Sequence, residues 1–339
     1  MKPVRVVQIG ILHEHAHGKM DTLRKLPELF EVVGYVDERD FSRTPYYKTD
    51  HERPYQGLKR LTLDEVLGDS SVGAVAVEVP NNDLVPVGLR CMERNLAIHL
   101  DKPAGEALAP YKTLLEGCAA RRLPFQMGYM FRGNPAFQFV RQAIQGKWIG
   151  EVCELELDMN HNYGGEVYQE YLRNFRGGIM WNLGCHLIDF VVGAMGRPVR
   201  VTPFLKSAPG DADDIRNNGL AVLEYPHATV TLRSCSRCGM PSRRIRVVGT
   251  RGRIDLEPLE RFDGEPLEVQ LRLAEPGGGY PVGSHAVRFP PQTDRYAAQL
   301  AEWARMIRGE VEPTYSFAHD LLVHEVTLAA SGMLAYGEK

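Results

Sequence analysis

At 339 residues, and with about 100–200 residues to a domain, the chain has length for roughly two domains, each with a core of its own, and a single small module is excluded. Hydrophobic residues at 44%, charged residues at 24% and aromatics at 9% lie near the globular average and exclude disordered, collagen-like and disulfide-scaffold classes. Forty basic against forty-three acidic side chains leave a formal net charge of -3, too balanced for the basic footprint of a nucleic-acid binder.

The opening MKPVRVVQIG has one short apolar run and no basic region leading into a longer one, so no signal peptide is expected. No window approaches the roughly 18 apolar residues of a membrane span, and the expected address is the cytoplasm, with no membrane partner. Val4 to Ile9 reads as a buried parallel strand ending at Gly10, followed by a helix over Ala16 to Leu26 and a strand over Glu31 to Val36 ending at Asp37. Strand over Val72 to Val79, helix over Leu84 to Asn95, strand over Leu96 to Leu100, helix over Gly105 to Arg121 and strand over Pro124 to Met130 continue the alternation, which predicts a parallel sheet wound with crossover helices. Past about residue 150 the pattern changes to strand-like runs at Glu151 to Met159, Gly219 to Tyr225, Thr229 to Cys235 and Arg243 to Gly249, a mostly antiparallel sheet interrupted by one helix near Ile179 to Ala194. Two amphipathic helices, split by Gly309 and Pro313, close the chain. The six cysteines have no regular spacing, and the Cys235/Cys238 pair lacks the two further ligands that zinc needs, so reduced thiols are expected.

Three constellations carry chemistry. The first is the turn Gly10-Ile11-Leu12-His13-Glu14-His15-Ala16-His17-Gly18. A dinucleotide site has G-x-G-x-x-G there, so that backbone amides approach a pyrophosphate; Gly10 fits, whereas Leu12 and His15 stand at the other two glycine positions. The acid expected on the ribose hydroxyls about 20 residues later is Asp37. His13, His15 and His17 are spaced by two across a turn into a helix, which is expected to point them to different sides. No metal is therefore predicted, and these imidazoles serve better as N–H donors to a phosphate. The second comprises Pro80-Asn81 and Asp101-Lys102-Pro103, two turns at the carboxyl ends of strands, where open α/β sheets place ligands. Pro103 restricts Lys102 toward extended conformations, so that Lys102 projects into the crevice. In the third, Gly177 to Asp189, offsets of 0, 4 and 7 at about 100° per residue bring Asn182, His186 and Asp189 within an arc of roughly 60° on one helix face, beside an apolar stripe containing Trp181. The alternative for this row is a solvated helix edge.

In this order the constellations resemble the glucose-fructose oxidoreductase, inositol dehydrogenase and MocA family of NAD(P)-dependent sugar oxidoreductases. Pro80-Asn81, Asp101-Lys102-Pro103, Gly128-Tyr129 with Arg132, Trp148-Ile149-Gly150, the Gly-Gly helix with His186 and Asp189, and the closing helices carry the resemblance over nearly the whole chain. It implies an α/β N-terminal Rossmann domain over residues 1–125 and, over 126–339, an α+β domain for substrate binding and oligomerisation. That second domain is built on a large, mostly antiparallel open sheet, with closing helices at about 294–335. NAD rather than NADP is the implied cofactor, held by Gly10, Ile11, Leu12, His13, His15, Asp37, Pro80, Asn81, Asp101 and Lys102; Asp37 would repel a 2′-phosphate, which Arg39 would moderate.

Lys102 and His186 are implied as the catalytic pair. An imidazole has the pKa to exchange the hydroxyl proton of a secondary alcohol, and a lysine ammonium stabilises charge developing on the oxygen. Asn182 stands where members often carry Asp, and as an amide it orients but cannot titrate; Leu84 stands where they often carry His. Arg132, Tyr163, Arg173, Arg176, Trp181, Asn182 and Asp189 are the substrate-binding candidates, with His161 and Asn162 in the same loop. The expected reaction is hydride transfer to or from a sugar, cyclitol or sugar derivative in a homodimer or homotetramer formed through the open sheet. The alternatives are a lyase or glycosidase with no net cofactor turnover and a cofactor-binding sensor or scaffold.

Overall fold

The computed structural model describes residues 2–42, 53–162, 164–240 and 242–336. Its two compact units are Met1–Met130 with Tyr296–Leu321, and Phe131–Arg295 with Leu322–Lys339.

In the first unit the valine-rich N-terminal run becomes β1 (Val4–Ile9), paired in parallel with β2 (Phe30–Val36) on one side and β4 (Ala74–Val77) on the other. With β3 (Lys59–Leu61), β5 (Ala97–Leu100) and β6 (Phe125–Met127) the sheet has the order β3-β2-β1-β4-β5-β6, all parallel. Val6, Val7, Ile9, every residue of β4, and Ile98 and Leu100 are fully buried, as expected of parallel strands covered on both faces. The crossovers carry α1 (Ala16–Lys25), α2 (Leu63–Gly68), α3 (Leu84–Glu93) and α4 (Leu108–Arg121). Strand order reverses between β1 and β4, the switch point at which such sheets open a ligand crevice.

The sequence reading gives residues 296–321 to the second domain, whereas contacts place them in the first unit. Trp303 is fully buried, 5.8 Å from the ring of Phe30 and 5.6 Å from that of His99. Gln126 and Gln299 also exchange hydrogen bonds, Gln126 Nε2 donating to the Gln299 carbonyl at 3.0 Å and Gln299 Nε2 to that of Met127 at 2.6 Å.

The second unit contains α5 (Pro135–Gln145), β7 (Val152–Met159), α6 (Gly165–Leu172), a π-helical turn (Met180–Gly184) and α7 (Cys185–Met195). Seven strands follow: β8 (Arg200–Lys206), β9 (Asn218–Glu224), β10 (Thr229–Cys235), β11 (Arg243–Gly249), β12 (Gly252–Leu256), β13 (Leu267–Leu273) and β14 (Gly283–Phe289). The eight-stranded sheet runs β14-β13-β12-β11-β7-β10-β9-β8 and is antiparallel except where β7 meets β10. One face buries alternate residues such as Leu155, Leu157, Ala221, Leu223, Val230, Leu232, Ile245 and Val247. α5 and α7 pack together, Phe137 meeting Phe190 edge-on at 5.3 Å. Among the described residues no helix is long and apolar enough to cross a membrane.

Candidate functional site

Gly10 ends β1 with φ +103°, and a Cβ there would lie 2.4 Å from the carbonyl oxygen of Glu78. Only glycine lets the turn press this closely against the end of β4. The next two amides, of Ile11 and Leu12, donate to Glu38 at 2.7 and 2.9 Å. Glu38 is fully buried, and that burial pushes its carboxyl up to about 7 against the lowering effect of the two amide bonds. The acid on these two amides is Glu38. Asp37 is engaged on its other side by Arg39, whose Nε donates at 2.8 Å and Nη2 at 2.5 Å. Burial opposes ionisation of Asp37, but the Arg39 guanidinium and backbone amide hold its carboxyl below the usual range.

His13 and His15 do not diverge as their spacing predicts. Residues 11–15 turn before α1 begins, and His15 N–H folds back to His13 Nδ1 at 3.2 Å. Both Nδ1 atoms lie 3.1 Å from Asp101 Oδ2. Burial lowers the pKa of His13 to about 3 and lowers that of His15, so both imidazoles are neutral at physiological pH. Beneath them Lys19 of α1 is fully buried, with Nζ 2.8 Å from Glu78 Oε1 and 3.0 Å from Asp101 Oδ1. Burial works against charge on all three groups. The two carboxylates nonetheless hold Lys19 above its ordinary value, Lys19 and the histidines hold Asp101 well below its own, and Glu78 stays raised.

Asn81 Nδ2 donates to the backbone carbonyl of Lys102 at 2.8 Å, joining the Pro80-Asn81 turn to the Lys102 turn. Lys102 itself is buried and is followed by a cis peptide to Pro103. Lys19, Glu38 and Glu78 were not among the residues read from sequence. Two of them left a signal: Lys19 interrupts the apolar stripe of Ala16, Met20 and Leu23, and Glu78 extends the buried run of β4.

In the second unit, Arg132 and Asp189 form a buried bidentate pair, Nε 3.1 Å from each oxygen and Nη2 2.6 Å from Oδ1. His186 is buried with its ring 5.4 Å from that of Phe131, and Asn182 Oδ1 accepts from Tyr168 Oη at 3.1 Å. Asn182 lies within the π-helical turn and His186 and Asp189 lie beyond it, so the uniform 100° spacing does not hold between them. Trp181 is fully buried, 4.8 Å from the ring of Phe175. Arg173 is exposed and paired with Glu170 and Asp214, and Arg176 is exposed, its carbonyl accepting from Arg216. Tyr163 lies outside the described residues.

The parallel sheet with its switch-point turns defines a Rossmann-type unit, coupled in one chain to a second unit built on an open antiparallel sheet. The chain matches, over residues 137–255, the family described as GFO/IDH/MocA C-terminal domain. It is 25% identical over 343 residues to an uncharacterized oxidoreductase of Schizosaccharomyces pombe, covering 95% of this chain and 90% of that protein. Inositol 2-dehydrogenase of Rhizobium meliloti is 23% identical over 270 residues, covering 76% and 78% of the two chains. Among solved structures, an Agrobacterium radiobacter oxidoreductase in complex with NAD+, L-tartaric acid and magnesium has the same fold, with TM-score 0.78 and 17% identity over 99% of this chain and 97% of that one.

Proposed function

We propose that this oxidoreductase uses NAD(H) and acts on the CH–OH group of a sugar, cyclitol or sugar derivative, with Lys102 and His186 as its catalytic pair. The observation that carries the reading is the sheet order, which brings the Gly10 turn and the Lys102 turn to the carboxyl edge on either side of the β1/β4 switch point. The first turn fits a dinucleotide in one respect on the page: Gly10, with φ +103° and no room for a Cβ, gives the close backbone turn that a pyrophosphate site uses. Gly10, Ile11, Leu12, His13, His15, Asp37, Glu38, Pro80, Asn81, Asp101 and Lys102 would hold the cofactor, which supplies a hydride acceptor or donor when bound. Two adjacent acids at the end of β2 disfavour a 2′-phosphate, which supports NAD over NADP.

Lys102 brings an ammonium that stabilises negative charge on the substrate oxygen. His186 exchanges the hydroxyl proton, for which an imidazole is suited near neutral pH. The Arg132–Asp189 pair fixes two charged groups on either side of a buried bidentate contact and leaves α7 in a defined position to carry His186.

The test combines binding with turnover. NADH should quench or shift its fluorescence on the purified protein, and a panel of polyols should produce net NADH. Lys102→Met and His186→Gln should each lower kcat by about 10²–10⁴-fold, with NADH binding retained in His186→Gln. Absence of NADH binding at millimolar cofactor refutes the reading; product without net NADH converts it to the lyase alternative.

A further inference from the structure

The first turn gathers three metal-binding side chains around one point. His13 Nδ1 and His15 Nδ1 are each 3.1 Å from the same Asp101 oxygen, and one donor atom from each of the three residues lies within 4.8 Å of the others. We propose that, when no dinucleotide occupies the first turn, His13, His15 and Asp101 form a site for one divalent transition-metal ion of the zinc type, which ties the turn after β1 to the end of β5.

Donor chemistry selects the ion. Two imidazoles and a carboxylate suit zinc, cobalt, nickel or copper, whereas magnesium and calcium favour all-oxygen sets. Distance agrees with this for two of the three pairs. Bonds of about 2.0–2.2 Å at a tetrahedral angle set neighbouring donor atoms roughly 3.3 Å apart, close to the 3.1 Å seen twice here. The widest pair closes by rotation of the imidazoles.

The surroundings hold the carboxylate in place. Lys19 fixes Asp101 through Oδ1 and leaves Oδ2 toward the histidines, the outer-shell arrangement that orients a ligand. Lys19 is shared with Glu78, so its charge is divided between two carboxylates. Asp101 and His13 form buried walls, while the His15 side chain is 13% exposed and gives an ion a route in and a position for a further ligand.

The experiment uses the full chain after dialysis against EDTA. Titration with Zn2+ by calorimetry should show one equivalent bound at micromolar or tighter affinity, and Co2+ should develop the visible bands of a four-coordinate site. His13→Gln and His15→Gln should each weaken Zn2+ by at least about 100-fold while far-UV circular dichroism is unchanged. The Cys235→Ser/Cys238→Ser double variant should bind as the parent does. Should a histidine variant fail to fold, ethoxycarbonylation of the parent's histidines by diethyl pyrocarbonate, mapped by mass spectrometry, serves instead: Zn2+ should protect His13 and His15. Absence of stoichiometric binding, binding that survives both histidine variants, binding lost with the cysteines, or no protection of the two histidines overturns the proposal.

Discussion

Lys19 is a buried cation beneath the first turn with a carboxylate at 2.8 Å and another at 3.0 Å, all three side chains sealed from solvent. Removing it strands two acids in a low-dielectric interior, so Lys19→Met should destabilise the protein by about 3–5 kcal/mol, read by urea unfolding; a loss within about 0.5 kcal/mol would contradict the geometry. Glu38 has the opposite character, an acid held by amides rather than by a cation. Its folded pKa of about 7 stands above the ordinary 4.5, so the folded state binds its proton more tightly than the unfolded state does. That stabilisation is complete below the unfolded value and is lost as pH rises through 7, on the order of 3 kcal/mol. Buried Glu78 has the same sign. Glu38→Gln should therefore flatten part of the fall in unfolding free energy between about pH 4.5 and 7, and an unchanged slope would show that Glu38 does not titrate there. The two acids at the end of β2 also separate functionally: Glu38→Gln should weaken NADH by about tenfold, and Asp37→Asn, whose carboxylate already meets Arg39, by much less. Spacing alone selects Asp37, the N-cap of the 3-10 turn Glu38–Asp40; the contact of Glu38 with the first turn's amides is a long-range one that spacing does not show.

At the scale of elements, the approach to α7 is the most constrained segment of the second unit. Gly178 has φ +53°, and a Cβ there would lie 2.0 Å from the carbonyl oxygen of Arg216, which is backbone and cannot swing aside. Gly178→Ala should cost at least about 2 kcal/mol. Six residues on, a Cβ at Gly184 would meet only the thioether of Met180 at 2.5 Å, the end of a flexible side chain, so Gly184→Ala should stay within about 1 kcal/mol of the parent. Equal effects in chemical denaturation would refute this account. Elements that carry several β-branched residues were legible in the sequence: β1 (VRVVQI), β10 (TVTLRSC) and β11 (RRIRVVG) have the bounds read from it. β12 and β13 were not, because GRIDL and LEVQLRL place a charged or polar residue at alternate positions, leaving a period of two where an apolar run was sought. Three-residue β3, and six-residue α2 with its Thr62/Glu65 capping box, are too short for periodicity to register. The candidate site was legible where it depends on turn chemistry, as at Gly10 and the Lys102 turn. It was lost where it depends on long-range closure, as in the meeting of His13 and His15 over Asp101, or on helical phase, as in the π turn beneath Asn182.

For the whole molecule, the balance of charge read from composition acquires a location. The face of the eight-stranded sheet away from α5 and α7 carries both signs in one array. On it Arg244 meets Asp158 at 2.5 Å and Glu156 at 3.2 Å, while Asp255 takes Arg246 at 2.9 Å and Arg253 at 2.8 Å. Beside this array, cross-strand neighbours Phe204 and Leu220, with Val222 two residues along, form an apolar strip in which Phe204 is 50% exposed. A face that interleaves both charges and adds an apolar strip is complementary to a copy of itself rotated by a two-fold axis, since each arginine finds an acid and each strip finds its counterpart or the rows beside it. A strongly basic or acidic partner would leave half of those charges opposed by like charge. We therefore expect a homo-oligomer joined through this sheet, with a dimer as the smallest assembly in light scattering coupled to size exclusion. Leu220→Arg, which places a third cation near Arg233 and Arg244 and breaks the strip, should yield a monomer at concentrations where the parent is assembled, with unfolding midpoint nearly retained because Leu220 is not in the buried core. A parent that elutes as a monomer, or a variant that assembles as the parent does, places the interface elsewhere or removes it. No excess charge is needed: a nearly neutral chain can direct its own assembly when charges of both signs lie on one face in register.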